Sequence, residues 1–509
     1  MNIKYLETRS SPTLLLRFLC AAVLLGTIYA LFMRLYLAAT LPLWLDETWS
    51  GMIASRADWS SLWREAWLDC NPPLYYLFLH GWVALLGDSN LSLRLPSFLF
   101  TFVAALMPVL WRPVGLTRFG AWTFAALLLL WQPALLVMID ARGYGLLLVL
   151  ATASCLVFAN LLQRPTLARA AAWVALGTLM FLTHYYSGVL AIGQALVLIF
   201  RYRISALRLW PAALIALPGL AWFGYHLPRL TDYARQDVIW YPPTTFYSTL
   251  QHLLFTINGQ NLFPLAAIIL ILVLMALQNR RLKLAGLLAE RRADRDIALT
   301  TLAAGAGFAI AIAIGLSQSS LTDRYFVPLA PPALLGLALA AQRCAAPQFA
   351  AMMLAFMFLL PSLNPRFANE HAHERSYYGY ETGSDFIANY HPDQLLFFWD
   401  HPAGKIINRQ SLEKIGSYFM ARAGAQVPTR AFVIGEHDNP NPILRAAATG
   451  RQPAIIWLYS TNHRSTASEY PPTFENDPKW TCQHKRRSYY GGGQFGTIAC
   501  VRLKEKAVD

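Results

Sequence analysis

Residues Leu41–Trp49 read LPLWLDETW and follow the first long hydrophobic segment of the chain. Two adjacent carboxylates, Asp46 and Glu47, therefore stand where a membrane span ends and water begins. Tryptophan favours the headgroup level because it has an apolar body and a polar edge, and Trp44 and Trp49 flank the two acids. The stretch predicts an acid pair at a membrane interface, as part of a site or as an ordinary solvated loop end.

The composition indicates a polytopic membrane protein. Of 509 residues, 56% are hydrophobic and only 14% are charged, and the mean hydropathy is +0.37, far outside the usual soluble balance. A bilayer core needs about 20 apolar residues per helix, which predicts about eleven spans. These are 13–38, 95–111, 119–138, 143–162, 168–183, 186–201, 208–224, 261–278, 297–315, 325–341 and 347–362. The first is interpreted as an uncleaved helix, since no clear small-residue cleavage site follows it.

The positive charge is concentrated in the membrane part. From Leu363 onward there are 17 Lys and Arg against 14 Asp and Glu, which leaves +11 of the formal charge of +14 to the preceding residues. Short cytoplasmic loops rich in Lys and Arg produce such a distribution, so nucleic acid is not expected as a partner. If residues 72–87 crossed, the basic loops would lie outside. We therefore interpret 72–87 as a juxtamembrane or re-entrant helix on the outer side.

This topology predicts a bacterial inner-membrane protein with a cytoplasmic N-terminus and a periplasmic C-terminal region. Strong use of Ala, Leu and Arg and compact inner loops favour that compartment. Nearly every polar cluster that is not basic then falls on the outer face. These clusters are Asp46 and Glu47, the turn 140–144, residues 183–186, the loop 225–261, residues 322–325 and the tail.

The polar tail predicts a second domain. We expect a transmembrane domain over residues 1–362, with an outer loop at 40–94, and a soluble α/β domain over 363–509. The predicted strands are Gln394–Trp399, Arg430–Gly435, Ala454–Tyr459 and Thr497–Leu503, with helices at Gly404–Ala423 and Asn441–Ala448 and a turn at Gly491–Gly493. Cys482 and Cys500 are the only cysteines of the tail, so a disulfide between them is expected if the tail lies outside the cytoplasm.

Several short motifs, by their order and common side, resemble the GT-C glycosyltransferases. They are Leu45–Glu47, Asn71–Tyr76, Gly87–Ser97, Asp140–Tyr144, Thr183–Tyr186 and Asp323–Phe326. The similarity covers residues 1–340 and is closest to the branch that holds protein O-mannosyltransferases (glycosyltransferase family 39) and the lipid A aminoarabinose transferase. Asn71 stands where that family often has His, and the tail matches none of its motifs. The acceptor is therefore not specified by the resemblance.

The resemblance implies transfer of a sugar from a polyprenyl-phosphate carrier to an acceptor hydroxyl of a lipid, glycan or protein. The reaction would take place on the outer face, among membrane lipids. Asp46 matches the family's position for the base that deprotonates the acceptor, which implies inversion at the anomeric carbon. Glu47 would orient the acceptor or influence Asp46 through coupled titration.

The leaving phosphate needs cations, and Arg142 and Arg324 are the candidates because guanidinium offers paired donors that match phosphate oxygens. Asp140 is expected to hold Arg142 or to bind the sugar. His184 is expected to hydrogen-bond the phosphate or a sugar hydroxyl. Tyr325 is counted with this donor-binding set. All five are also compatible with structural roles as interfacial anchors, ion-pair partners or aromatic-belt residues.

Three alternatives stay open at this point. A divalent metal is one, since Asp46, Glu47 and His184 offer hard ligands, although no His or Cys spacing announces a zinc site. A polymerase or ligase of lipid-linked glycans is another, and the early acid pair argues against it. A transporter or flippase is the third, disfavoured by few mid-span charges and no internal repeat. The tail is hypothesised to influence acceptor choice because it lies over the outer face.

Overall fold

The computed structural model describes residues 14–235, 241–259, 261–281, 292–344, 346–364, 379–400, 409–434, 442, 448–460, 477–488 and 494–504. Its first part is helical. In chain order the helices are α1 (Leu14–Thr40), α2 (Leu45–Ala54), α3 (Trp59–Leu68), α4 (Leu74–Leu86), α5 (Asn90–Leu110), α6 (Arg118–Leu130), α7 (Gln132–Val137), α8 (Tyr144–Gln163), α9 (Leu167–Thr183), α10 (Gly188–Tyr202), α11 (Leu217–Ala234), α12 (Phe246–Thr256), α13 (Leu262–Arg281), α14 (Arg292–Ser317), α15 (Ala330–Arg343) and α16 (Pro347–Leu359). Short 3-10 helices occupy Tyr185–Ser187, Arg203–Ala216, Asp323–Leu329 and Leu360–Leu363.

Each predicted span coincides with apolar helical structure. Within the described ranges, six helical stretches are long and apolar enough to cross a membrane by length and composition, and shorter apolar helices account for the other predicted spans. The predicted spans 186–201 and 208–224 fall within one continuous stretch, Tyr185–Ala234. The chain is a multi-pass membrane protein.

Residues 72–87 contribute α4, which packs on α2 and α5. Its 13 residues extend about 20 Å at 1.5 Å per residue, short of the roughly 30 Å of a bilayer core. Gly87 ends the helix with a φ of +74°, a conformation that glycine adopts without strain. The juxtamembrane position on the outer side stays a prediction that this length favours.

Helices α10 and α14 pack against each other closely. A Cβ atom at Gly193 would lie 2.3 Å from the carbonyl oxygen of Ala303, and one at Gly307 would lie 2.8 Å from that of Val189. Small residues let membrane helices approach until their backbones touch, which is a main source of packing energy within a bilayer. This pair is therefore a close helix–helix contact within the membrane part.

The tail forms a mixed sheet with helices. The strands β1 (Gln394–Asp400), β2 (Thr429–Val433), β3 (Pro453–Ser460), β4 (Trp480–Ser488) and β5 (Gln494–Arg502) are arranged in the order β2-β1-β3-β5-β4. β1 runs parallel to β2 and β3, whereas β5 is antiparallel to β3 and β4. Helices α17 (Tyr380–Ala388) and α18 (Arg409–Arg422) accompany the sheet. The predicted α/β class of the tail is confirmed.

The four predicted strands correspond to β1, β2, β3 and β5, and the sequence missed β4, whose alternation is obscured by Lys485, Arg486 and Arg487. The predicted helix Gly404–Ala423 corresponds to α18, Arg409–Arg422, and residues 404–408 lie outside the described part. The turn at Gly491–Gly493 also lies outside it, as does the helix at Asn441–Ala448 apart from residues 442 and 448. A disulfide joins Cys482 of β4 to Cys500 of β5, directly opposite each other in the antiparallel register.

One hydrophobic core joins the tail to the membrane part. It contains Leu43, Ile53 and Leu93 from the membrane part, and residues such as Leu412 and Phe419 from α18. All five side chains are at most 1% exposed. The expected boundary at residue 362 is therefore crossed by a continuous packed interior, and burying apolar surface of this kind is the dominant stabilising term in folding.

Candidate active site

The first turn of α2 carries both acids of the opening motif. Trp44 is the N-cap residue, and Asp46 and Glu47 follow in the first helical turn. Carboxylates are favoured there because the backbone N–H groups of a helix N-terminus point outward with partial positive charge. Successive helical residues are rotated by about 100°. The two acids consequently face different surroundings.

Glu47 faces the protein interior. Its carboxylate is 0% exposed and pairs with Arg94 of α5, whose Nε and Nη2 donate to the two oxygens at 2.7 and 2.6 Å. The backbone N–H of Ala141 donates to the same carboxylate at 2.9 Å, and that of Trp44 at 3.2 Å. Charge-assisted bonds of this kind are the strong ones. Glu47 thus connects α2, α5 and the turn that contains Asp140.

Arg94 holds the chain that leads into α2. Its Nη1 donates to the carbonyl oxygens of Ala38 and Leu41 at 3.0 and 2.6 Å, and its Nη2 donates to that of Pro42 at 2.8 Å. Arg94 lies within the Gly87–Ser97 motif, and no role was predicted for it from the sequence. A sequence signal for a role of Arg94 was its position inside an apolar helix, because a charge there is costly unless it is paired.

Asp46 lies on a different side of α2 from Glu47 and contacts Arg324. Nη1 of Arg324 donates to Oδ2 of Asp46 at 2.9 Å, and each side chain is 26% exposed. The guanidinium lies over the rings of Trp44 and Tyr144, 5.4 and 5.9 Å from their centroids. Cation–π contacts restrict the arginine without consuming its N–H donors. In the described chain, Oδ1 of Asp46 accepts no hydrogen bond from a side chain or backbone group.

Arg142 lies beside the same turn of α2. Its Nη1 donates to the backbone oxygen of Asp46 and to Oγ of Ser50, both at 3.2 Å, and the residue is buried. Asp140 does not pair with Arg142 through a hydrogen bond in the described chain. It accepts a bond from Nε1 of Trp44 at 3.1 Å instead. Asp140 thus orients the ring over which Arg324 lies.

His184 and Tyr325 form the aromatic side of the site. Their rings lie 4.6 Å apart, and Oη of Tyr325 is 2.7 Å from Oη of Tyr241. His184 is 8% exposed, and its Nδ1 is buried without a hydrogen-bond partner within the described ranges. Burial, followed by the charges of Arg142 and Arg324, lowers the pKa of His184 to about 3. The imidazole is therefore neutral at physiological pH and can donate from one nitrogen and accept at the other.

These side chains surround one cavity of about 610 Å³. Its lining includes five of the predicted site residues: Asp46, Arg142, His184, Arg324 and Tyr325. Glu47 and Asp140 do not line it. A volume of this size suits a small ligand or the headgroup of a larger one. The structure therefore brings five of the seven predicted site residues together from segments far apart in sequence.

The cavity also contains charged residues that sequence reasoning missed: Glu65, Asp69, Arg229 and Lys414. Asp69 accepts hydrogen bonds from the side chains of Asn71 and Tyr76. Lys414 belongs to the tail and donates to both oxygens of Glu65 at 2.7 and 3.0 Å. The signal for Asp69 was its place two residues before the Asn71–Tyr76 motif, but nothing in the sequence indicated Lys414.

The residues described contain no group of three or more His, Cys, Asp or Glu side chains that could hold a metal ion. Glu47, one of the hard ligands considered from sequence, has both oxygens engaged by Arg94. Of the three hard ligands considered from sequence, Asp46 and His184 line the cavity.

The chain matches no protein-family model and no curated protein. Solved structures are similar to it, among them two of one protein. The apo structure of ArnT from Cupriavidus metallidurans matches with a TM-score of 0.54 and 12% identity, over 95% of this chain and 98% of that one. The structure of the same protein bound to undecaprenyl phosphate matches with a TM-score of 0.53 and 13% identity, over 94% and 97%. The chain has the ArnT fold.

The ArnT fold confirms the predicted class, a polytopic GT-C membrane protein with a C-terminal α/β domain. Because 95% of this chain is covered, the common architecture extends through the tail as well as the membrane part. In this chain, the fold places the acid of α2, the turn before α8 and the 3-10 helix before α15 around one cavity. A likeness of fold does not by itself carry an activity, which must be argued from the site.

Proposed function

We propose that the chain is an inverting glycosyltransferase that moves a sugar from a polyprenyl-phosphate donor to an acceptor hydroxyl. The observation that carries the proposal is the cavity itself, in which the carboxylate of Asp46 faces Arg324 at 2.9 Å and Arg142 lies beside it. One acid and two permanent cations are what a transfer from a sugar phosphate requires. The structural neighbour bound to undecaprenyl phosphate supports this class of donor.

In the proposed reaction Asp46 takes the proton of the acceptor hydroxyl as its oxygen attacks the anomeric carbon. The bond between that carbon and the phosphate oxygen breaks, and the polyprenyl phosphate leaves with the electron pair. A single displacement from the opposite face inverts the anomeric configuration. No co-reactant is needed, since the acceptor proton ends on Asp46 and the negative charge ends on the phosphate.

Arg142 and Arg324 would bind the donor phosphate and stabilise the charge that grows on it. Their guanidinium groups stay protonated at any relevant pH and offer several donors to phosphate oxygens. Preorganised donors of this kind contribute most when the charge develops. The contacts of Arg142 with Ser50 and of Arg324 with Trp44 hold these donors before the substrate arrives.

The other predicted residues have supporting roles in this proposal. His184, being neutral, would hydrogen-bond the phosphate or a sugar hydroxyl, with Tyr325 against its ring. Glu47 would be a positioning residue, because Arg94 and two backbone N–H groups occupy its oxygens. Asp140 would position Trp44. The proposed location is the periplasmic face of a bacterial inner membrane, on the strength of the basic loops assigned to the cytoplasm.

The test is a mass-spectrometric assay of the purified protein in lipid nanodiscs with a polyprenyl-phosphate sugar extract. Wild type should consume the donor and release polyprenyl phosphate, and Asp46→Asn should reduce this rate by about 10²- to 10⁴-fold, the usual contribution of a positioned base. Asp232→Asn is the matched control, since Asp232 is exposed on α11 and does not line the cavity.

Equal rates in wild type and Asp46→Asn would retain the transferase and remove Asp46 as the base. If neither protein consumed the donor while both bound it tightly, the transport alternative would replace the proposal.

A further inference from the structure

The carboxylate of Glu381, in the tail, contacts the segment that leads into α2, the helix that carries Asp46. Glu381 lies in the first turn of α17, and its Oε2 accepts the backbone N–H of Leu43 at 3.2 Å. The same oxygen accepts Nδ2 of Asn90 at 2.8 Å, and that amide also donates to the carbonyl oxygen of Leu41 at 3.2 Å. Glu381 therefore contacts the segment before α2 directly at Leu43, and through Asn90 at Leu41.

Arg422 of α18 keeps this carboxylate in place. Its Nη2 lies 3.4 Å from Oε1 of Glu381 and donates to Oδ1 of Asn90 at 2.8 Å. The side chains of Glu381 and Arg422 are only 17% and 14% exposed. A junction that combines charge with several hydrogen bonds and partial exclusion of water is more restrictive than an exposed ion pair.

The backbone before α2 depends on side chains for its hydrogen bonds. Arg94 binds the carbonyl oxygens of Ala38, Leu41 and Pro42, and Glu47 binds the N–H of Trp44. The remaining N–H, that of fully buried Leu43, is bound by Glu381. Buried backbone donors in native proteins are almost always paired, so the tail supplies the partner that the membrane part leaves missing here.

The tail also contacts α2 and the cavity through α18. A Cβ atom at Gly51 of α2 would lie 2.6 Å from Oη of Tyr418, so the two helices touch at this point. Gln410, Ser411 and Lys414 of α18 line the same cavity as Asp46. The tail thus contacts both the segment that leads into α2 and the helix itself at Gly51.

We propose that Glu381 is a positioning residue for Asp46, and that the tail is for this reason a structural part of the active site. This inference rests on the proposed function of Asp46. Leu43 immediately precedes Trp44, whose ring contacts Arg324 and whose Nε1 binds Asp140. Release of the Leu43 amide would let Trp44 shift, and the geometry between Asp46 and Arg324 would then be lost.

The test combines hydrogen exchange with kinetics on the full-length protein in nanodiscs. In Glu381→Ala, the amides of residues 41–50 should exchange about tenfold faster and kcat should fall about tenfold, the effect of losing one or two hydrogen bonds. The KM for a polyprenyl-phosphate sugar should stay within about twofold, because Arg142 and Arg324 are retained. Glu381→Gln should restore most of both losses, since an amide oxygen still accepts from Leu43 and Asn90.

Asp385→Ala is the matched control, one turn later on the same helix, and it should behave as wild type in both measurements. The proposal is overturned if Glu381→Ala leaves exchange of residues 41–50 unchanged, or if kcat falls equally in Glu381→Ala and Asp385→Ala. If Glu381→Ala does not fold, Asn90→Ala takes its place and should change exchange in the same direction. A wild type without transferase activity, combined with faster exchange in Glu381→Ala, would reject the proposed function and retain the structural link.

Discussion

The cavity face and the core face of α2 place two neighbouring acids in opposite surroundings. Asp46 is 26% exposed at the cavity and forms an ion pair with Arg324. Glu47 is 0% exposed, and Arg94 and two backbone N–H groups bind it. A carboxylate whose acceptor sites are filled is a structural group, whereas one with an oxygen left for a ligand is available for chemistry. Adjacent acids can therefore have separate roles.

The largest effect should come from the core face. Glu47→Ala leaves Arg94 buried without its partner, which should lower the free energy of unfolding by about 3–5 kcal/mol. Asp46→Ala should lower it by no more than about 1 kcal/mol, because the Asp46–Arg324 pair is partly exposed to solvent and such pairs contribute little. Denaturant or thermal unfolding in detergent micelles would compare the two variants.

The double variant Glu47→Leu with Arg94→Met sharpens this comparison. Replacing a buried ion pair by apolar side chains of similar size is often neutral for stability, so the double variant should be more stable than Glu47→Ala. Equal stability of Glu47→Ala and Asp46→Ala would show that the two faces do not differ as described.

The cavity face should be tested through activity. Arg324→Lys keeps the charge but loses the planar pair of donors, and it should reduce kcat by about ten- to a hundredfold with little change in stability. Arg343→Lys is the control, since Arg343 pairs with Asp294 at the other end of α15. A loss of activity that is the same for both substitutions would argue against a specific role of Arg324.

The smallest effect concerns His184 and pH. Its pKa is about 3 in the folded protein because of burial and nearby arginines, against about 6.5 in an unfolded chain. As the pH falls through about 6.5, His184 takes up a proton in the unfolded state but not in the folded state. The contribution of His184 to the free energy of unfolding is therefore complete above about pH 6.5 and is lost progressively below it. Between pH 6 and pH 5 this group should contribute a loss of about 1 kcal/mol.

His184→Phe should remove that part of the pH dependence, measured as the difference between unfolding curves at the two pH values. His391→Gln, a substitution at an exposed position of the tail, should leave it unchanged. A pH dependence that is identical in wild type and His184→Phe would show that the imidazole is not held neutral by burial.

Much of the architecture was predictable because it depends on local patterns. Hydrophobic length located the membrane helices, and short apolar runs located β1, β2, β3 and β5 of the tail. The order of the short motifs predicted which polar residues would lie together. Five of the predicted site residues indeed line one cavity. Their chemical roles stay predictions until the variants are measured.

The pairings that organise the site were not predictable from the sequence. Glu47 and Arg94 lie 47 residues apart, and Asp46 and Arg324 lie 278 apart. Either arginine was chemically suitable for either acid. The rotation between successive residues of α2 directs the two acids to different sides of the helix. Which arginine each acid binds then depends on how α5 and the segment before α15 pack around α2.

By itself, the sequence determined the fold class of the protein and the positions of its helices, because hydropathy acts locally along the chain. Only the tertiary structure decided that Glu47 is enclosed, that Lys414 of the tail enters the cavity and that Glu381 binds the backbone beside Asp46. The reason is physical: burial and hydrogen-bond partners are properties of packed surfaces, which bring together residues that no sequence interval connects.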